Sequence, residues 1–168
     1  MPYHVYFQLA DDTISHLNSF IPSVSNPLIV SKYIGFVSVS AVTVYELAIK
    51  AILISFSHTK HEILGNFAQS YFERINGRIK IKIIKEDYLK RFGEGYVNIF
   101  EETIQNEENL ILQDSRKSII SSYSNIIEWR NSFAHEGIIP STVTYREIVD
   151  SYEMGKKIID CLARTMTS

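Results

Sequence analysis

Of the residues that usually constrain a fold, this chain has few. It has one cysteine, Cys161, which excludes an intrachain disulfide and suits a reducing cytoplasm. Proline (4) and glycine (7) are scarce in its 168 residues, which favours long helices joined by short connections. It lacks a large charge of either sign: the net charge of −2 argues against a protein coated in nucleic acid, although it leaves room for a local basic patch. No basic-then-apolar leader opens the chain, so secretion is not expected. There is no glycine-rich phosphate loop, no Gly-x-Ser-x-Gly elbow and no readable Ser/His/Asp order, and no cofactor is expected. His58 and His61 beside Glu62 fall short of the three or four ligands a metal site needs, so they read as polar loop histidines, and no metal is expected.

What is present is ordinary globular material, 45% hydrophobic and 21% charged, in a length that suits one domain over residues 1–168. The apolar stretch Phe36 to Phe56 has the length of a membrane span. Glu46 and Lys50 lie near its middle, where charge is costly in lipid, so a buried central helix is expected and no membrane. That helix is predicted from Leu28 to Ser57, capped by Asn26 with Pro27 at its first position and interrupted, if at all, at Gly35. A weaker helix is expected over Tyr3 to Phe20, carrying Val5, Leu9, Leu17 and Phe20.

Ser57 to His61 reads as a polar connection. A short helix through Ile63, Phe67 and Tyr71 then stops at Asn76-Gly77. The alternation of Arg78 to Ile84 predicts a half-buried extended or irregular piece. Helices follow over Tyr96 to Gln113, with Glu101, Glu102, Glu107 and Glu108 as an outer acidic face, and over Asp114 or Ser115 to Ala134. A loop over Glu136 to Val143 contains Gly137 and Pro140. Thr144 with Glu147 forms a capping box for the last helix. The fold class expected is therefore all-α, a bundle of four to five main helices with short additional segments.

The chemistry concentrates at Glu128-Trp129-Arg130-Asn131-Ser132-Phe133-Ala134-His135-Glu136-Gly137. Arg130 is a permanent cation with a planar donor fork suited to phosphate. His135 exchanges a proton near neutral pH. Asn131 adds an amide donor and acceptor, and Gly137 is a helix stop. Five residues along an ideal helix turn about 500°, which leaves the two side chains about 140° apart. Either the helix ends before His135, or a second copy completes the site. A structural histidine beside a surface arginine is the plain alternative.

Arg130-Asn131-x-x-Ala134-His135 at a helix end resembles the Arg-x(4–6)-His signature of the HEPN superfamily, including its common Arg-Asn beginning. The resemblance implies a compact helical domain that works as a homodimer. It further implies a metal-independent endoribonuclease that leaves 2′,3′-cyclic phosphate and 5′-hydroxyl ends, in a toxin or phage-defence setting, with an antitoxin or regulatory protein as partner. Arg130, His135 and Asn131 would be the catalytic residues on an RNA substrate. The rival is a non-catalytic helical module that binds RNA, a nucleotide or a protein.

Two further groups stand beside the motif. Glu46 is either the i, i+4 surface partner of Lys50 or a buried acid that holds Arg130, as the resemblance implies. Tyr123 and Trp129 either stack on bases or pack inside. The basic run Arg74, Arg78, Lys80, Lys82, Lys85, Lys90, Arg91 is interleaved with Tyr71, Phe72, Tyr88 and Phe92. It is either a solvated segment or a guide for single-stranded RNA through Arg74, Arg78, Lys80, Lys82 and Lys85.

Overall fold

One helix, Pro27–Lys60, runs through the middle of the protein and is touched by four others. The computed structural model describes residues 3–139 and 141–167; Pro140 lies outside them. A 3-10 turn, Tyr3–Tyr6, leads into α1 (Phe7–Phe20). The central helix is α2, followed by α3 (Glu62–Phe72) and a single turn α4 (Ile81–Ile83). A π turn (Ile84–Tyr88) and a 3-10 turn (Leu89–Arg91) carry the chain to α5 (Glu94–Ser115), α6 (Ile119–Glu136) and α7 (Tyr145–Thr165). No strand occurs among the described residues, and the fold is all-α.

The Asn26 side chain accepts from the Leu28 N–H and Pro27 follows it, which starts α2 where the sequence predicts. The helix continues without a break through Gly35. A glycine is needed there for space, because a Cβ would lie 2.1 Å from the Phe133 ring of α6. The β-branched run Val37 to Val44 stays helical because α1, α6 and α7 cover it on several sides. Ile49, Ile52 and Leu53 are fully buried, each contributing roughly 1.5–3 kcal/mol of apolar transfer.

A column of three tyrosines ties the bundle together. The Tyr45 ring of α2 stacks between Tyr123 of α6, at 5.2 Å, and Tyr152 of α7, at 5.8 Å. Each hydroxyl has a partner: Tyr45 donates to the Tyr152 carbonyl (2.6 Å), Tyr152 to the half-buried Asp11 Oδ1 (2.8 Å) and Tyr123 to the Ile79 carbonyl (2.8 Å). Burial pushes the phenol pKa of all three upward.

Several expectations need correction. Val5 and Leu9 are exposed, because α1 turns Phe7, Ala10, Ile14 and Leu17 inward at helical spacing. Residues 81–84 are helical rather than extended, and helical turns continue from them to Arg91, as expected for Glu86 to Phe92. Ile84 and Leu89 are fully buried five residues apart, a spacing that fits the π turn and that an alternating pattern conceals; Ile79, in the irregular stretch before it, is also buried. α2 runs on through His58 to Lys60, so His58 is helical, and the expected connection shrinks to His61, which caps α3 with Nδ1. Glu108 is buried rather than part of an acidic face: its Oε2 accepts from the Ile119 and Ile120 N–H groups and caps α6. The capping box at Thr144 and Glu147 forms as predicted.

Candidate functional site

The site is built on α6. Ser118 accepts from the Ser121 N–H, and together with Glu108 it satisfies the first donors of the helix. At the other end Gly137 adopts φ 68° and returns its N–H to the Phe133 carbonyl. Lys32 of α2 donates to the Gly137 carbonyl at 2.9 Å, fixing that terminus. The helix therefore extends through His135 to Glu136, two residues beyond the predicted Ala134.

That length decides one of the two alternatives left by the spacing. With Arg130 and His135 on one unbroken helix, their side chains leave it about 140° apart. Arg130 turns toward the molecule and is half-buried, with Nε shut away from solvent without a hydrogen-bond partner. His135, on the last turn, is exposed. Asn131 is half-buried between them. A single chain does not bring the guanidinium and the imidazole together.

Arg130 instead reaches the loop after α3. Its Nη2 donates to the Gly77 carbonyl at 3.4 Å, a long bond. The Gly77 N–H donates to the Glu46 carboxylate of α2, whose Oε1 also pairs with Lys50 at 2.6 Å. Lys50 donates in turn to the Glu73 carbonyl at 3.2 Å. Both expectations for Glu46 are thus partly met and partly corrected. It does pair with Lys50, but this pair is mostly buried rather than on the surface. It connects to Arg130 only through the backbone of Gly77, without a direct ion pair. Nor does Arg130 form an ion pair with Glu128, two positions before it on α6, among the described residues.

Gly77 is the hinge of this arrangement. Its φ of 75° lies in the left-handed region, and an added Cβ would sit 2.1 Å from Arg130 Nη2, so both conformation and space call for glycine. The loop is held further on by Tyr88, which donates to the Arg78 carbonyl at 2.6 Å, and by Tyr123, which donates to Ile79. Base stacking by Tyr123 is excluded because it is fully buried, and Trp129 is also buried. Tyr123 supports the site from within.

The basic run divides. Lys80, Lys82 and Lys85 line a groove of about 460 Å³ against Ser124 and Glu128 of α6, on the helix that carries the motif. Arg74 and Arg78 line a separate cavity of about 420 Å³ beside Tyr71 and Tyr88. Four of the cations face carboxylates: Arg78 with Asp87, Lys82 with Glu86, Lys85 with Glu101 and Lys90 with Glu94. Such pairs are mostly exposed and weak.

Sequence reasoning missed the Gly77 loop as part of the site. The dipeptide Asn76-Gly77 signals a turn, but no local pattern says that an arginine 53 positions later will seat on it. It also missed Lys32 and the Phe133–Gly35 contact, which set where α6 ends against α2.

An all-helical bundle whose late helix carries Arg130-Asn131 and His135, with a glutamate on the central helix behind it, defines a HEPN-type domain. The comparison with family models bears this out: the model described as RiboL-PSP-HEPN matches residues 7–168, and the chain belongs to that family. No curated protein and no solved structure matches the chain.

Proposed function

We propose that the protein is a metal-independent endoribonuclease that acts as a homodimer. The observation that carries this reading is the exposed His135 at the end of α6, in a HEPN family domain, one and a half turns from an arginine held in place by the Gly77 loop. Since α6 points the two groups apart, an arrangement that joins them draws on a second copy, with two α6 ends facing across a shared cleft.

In that cleft the ribose 2′ oxygen attacks the adjacent phosphorus and the bond to the 5′ oxygen breaks. The products are a 2′,3′-cyclic phosphate and a 5′-hydroxyl. His135 of one copy takes the 2′ proton, and His135 of the other gives a proton to the departing oxygen. Arg130 stabilises the charge that builds on the phosphoryl oxygens. Its 3.4 Å bond to Gly77 is weak enough for a charge-assisted phosphate contact to replace it. Asn131 orients a phosphate oxygen or the imidazole. Lys80, Lys82 and Lys85, in the groove beside α6, and Arg74 and Arg78 beyond it, guide the strand by charge. Requirement for the 2′-hydroxyl selects RNA over DNA.

A cytoplasmic toxin or defence effector, held silent by an antitoxin or regulatory protein, is the setting this activity fits. The test is labelled RNA incubated with purified protein in EDTA, with end-group analysis. Cleavage to cyclic-phosphate ends that His135→Ala abolishes supports the proposal; cleavage that persists in that variant, or that EDTA stops, refutes it.

One observation favours a second reading. Arg130 already has an intrachain partner in Gly77, which is what a purely structural arginine would show. On that reading the domain binds RNA, a nucleotide or a protein without cutting, and the same assay returns bound but intact RNA.

A further inference from the structure

A cluster of aromatic side chains lies away from the motif. The end of α2, α3 and the turn before α5 enclose a cavity of about 320 Å³. Its walls are aromatic: Phe56, Tyr71, Phe72, Phe92 and Tyr96. These rings hold one another in place. Phe56 meets Phe92 edge-on at 5.5 Å and Tyr96 at 5.4 Å, while Phe72 and Phe92 lie nearly parallel, 12° apart. Two cations stand among them, Lys60 over the Phe56 ring at 4.8 Å and Arg91 over Tyr71 at 4.6 Å.

No carboxylate lines this cavity. Among the described residues neither Lys60 nor Arg91 forms an ion pair, and the same holds for Arg74. Phe67 and Tyr71 are shared with the neighbouring cavity that carries Arg74 and Arg78, which also lacks a carboxylate. Phe67 is 69% exposed, an apolar ring left on the ridge between the two. The two cavities adjoin across Phe67 and Tyr71 and together bring rings beside the cations Lys60, Arg91 and Arg74, with Arg78 paired to Asp87, on a chain whose net charge is −2.

We propose that this surface binds single-stranded nucleic acid, with the aromatic cavity taking one base and Lys60 and Arg91 taking its phosphate. The size fits one planar ring system with its attached groups, since the volume is at the small end for ligand pockets. Rings with cations beside them suit a strand, which offers a π face and a negative charge at each nucleotide, and stacking of this kind tolerates any base. An apolar helix from a partner would leave the cations unanswered. This site extends the RNA-binding reading of Arg74 and Arg78, but it concerns holding rather than cutting.

Binding is therefore measured with a ligand that cannot be cleaved through a 2′-hydroxyl. A fluorescent single-stranded oligodeoxynucleotide is titrated with the full chain by anisotropy, at low and high salt, with adenosine monophosphate and adenosine as competitors. The proposal expects salt-sensitive binding that the double variant Lys60→Glu, Arg91→Glu weakens by about tenfold or more, and that Phe67→Ala weakens less. The control Lys157→Glu, on α7, leaves it within about twofold. Competition by the monophosphate but not by adenosine shows that a free nucleotide also occupies the cavity; competition by neither identifies the strand as the ligand. Absence of binding, or binding indifferent to Lys60 and Arg91 while the variant retains its helical signal, overturns the proposal. So does self-association that Phe67→Ala abolishes, which would make this face a contact between copies. Loss of RNA cleavage by His135→Ala leaves the outcome unchanged, so failure here and failure of the nuclease reading are separable.

Discussion

The two ends of the motif are built in opposite ways. Arg130 sits on a loop braced from three sides: Glu46 and Lys50 of α2, Tyr123 of α6 and Tyr88 of the π turn all bind its backbone. His135 stands exposed on the last turn of α6, where Lys32 and the packing of Phe133 against Gly35 steady the helix end. The contrast teaches which half of the site the fold completes alone. The guanidinium has a partner within its own chain, the Gly77 carbonyl, whereas the imidazole is exposed at the helix end.

Breaking the braced end has the largest expected effect. Gly77→Ala imposes left-handed strain and displaces Arg130, and it should cost about 3 kcal/mol in denaturant unfolding. Tyr123→Phe leaves the buried Ile79 carbonyl without its donor and should cost about 1–2 kcal/mol by the same measurement. Arg130→Ala removes a single long hydrogen bond, with an expected loss of about 1 kcal/mol or less. His135→Ala should lie within about 0.5 kcal/mol of the parent, because the side chain is exposed. A cost at His135 equal to that at Gly77 would dissolve the contrast.

Alkali sharpens it from another direction. Tyr88, which holds the loop, has its phenol pushed up by burial from 10.0 to about 12, and Tyr45, Tyr123 and Tyr152 are raised for the same reason. A folded pKa above the unfolded one means that the neutral phenol is favoured by folding. Its stability is whole below the unfolded value near 10 and is lost as pH rises through the folded value. Thermal unfolding followed against pH should therefore be insensitive to these tyrosines near neutrality and fall steeply above about pH 10.

Much of this architecture was legible in the sequence, for identifiable reasons. Asn26-Pro27, Thr144 with Glu147, and Gly137 are local devices, and each acts where it was read. The all-α class followed from scarce glycine and proline and long apolar stripes. What escaped depended on distant residues. The pattern of residues 78–84 alternates, yet helical turns begin at Ile81 and a π turn sets Ile84 and Leu89 in the core. Glu108 has the composition of a surface acid and becomes a buried cap because α6 starts against it. The sequence leaves open whether the motif helix, expected to about Ala134, includes His135; it runs to Glu136, and Lys32, about a hundred residues earlier, helps hold its end. The pairing of Arg130 with Gly77 has no signal within either stretch.

The central claim is that the imidazole and guanidinium meet only between two copies. It is tested most directly by the rate of RNA cleavage per chain, in EDTA, as protein is diluted through the range where sedimentation shows copies separating. A site shared across the interface predicts a rate per chain that collapses with the dimer and is absent in His135→Ala at every concentration. A separated single chain that cuts as fast as the pair, or a dimer that cuts nothing, would contradict it.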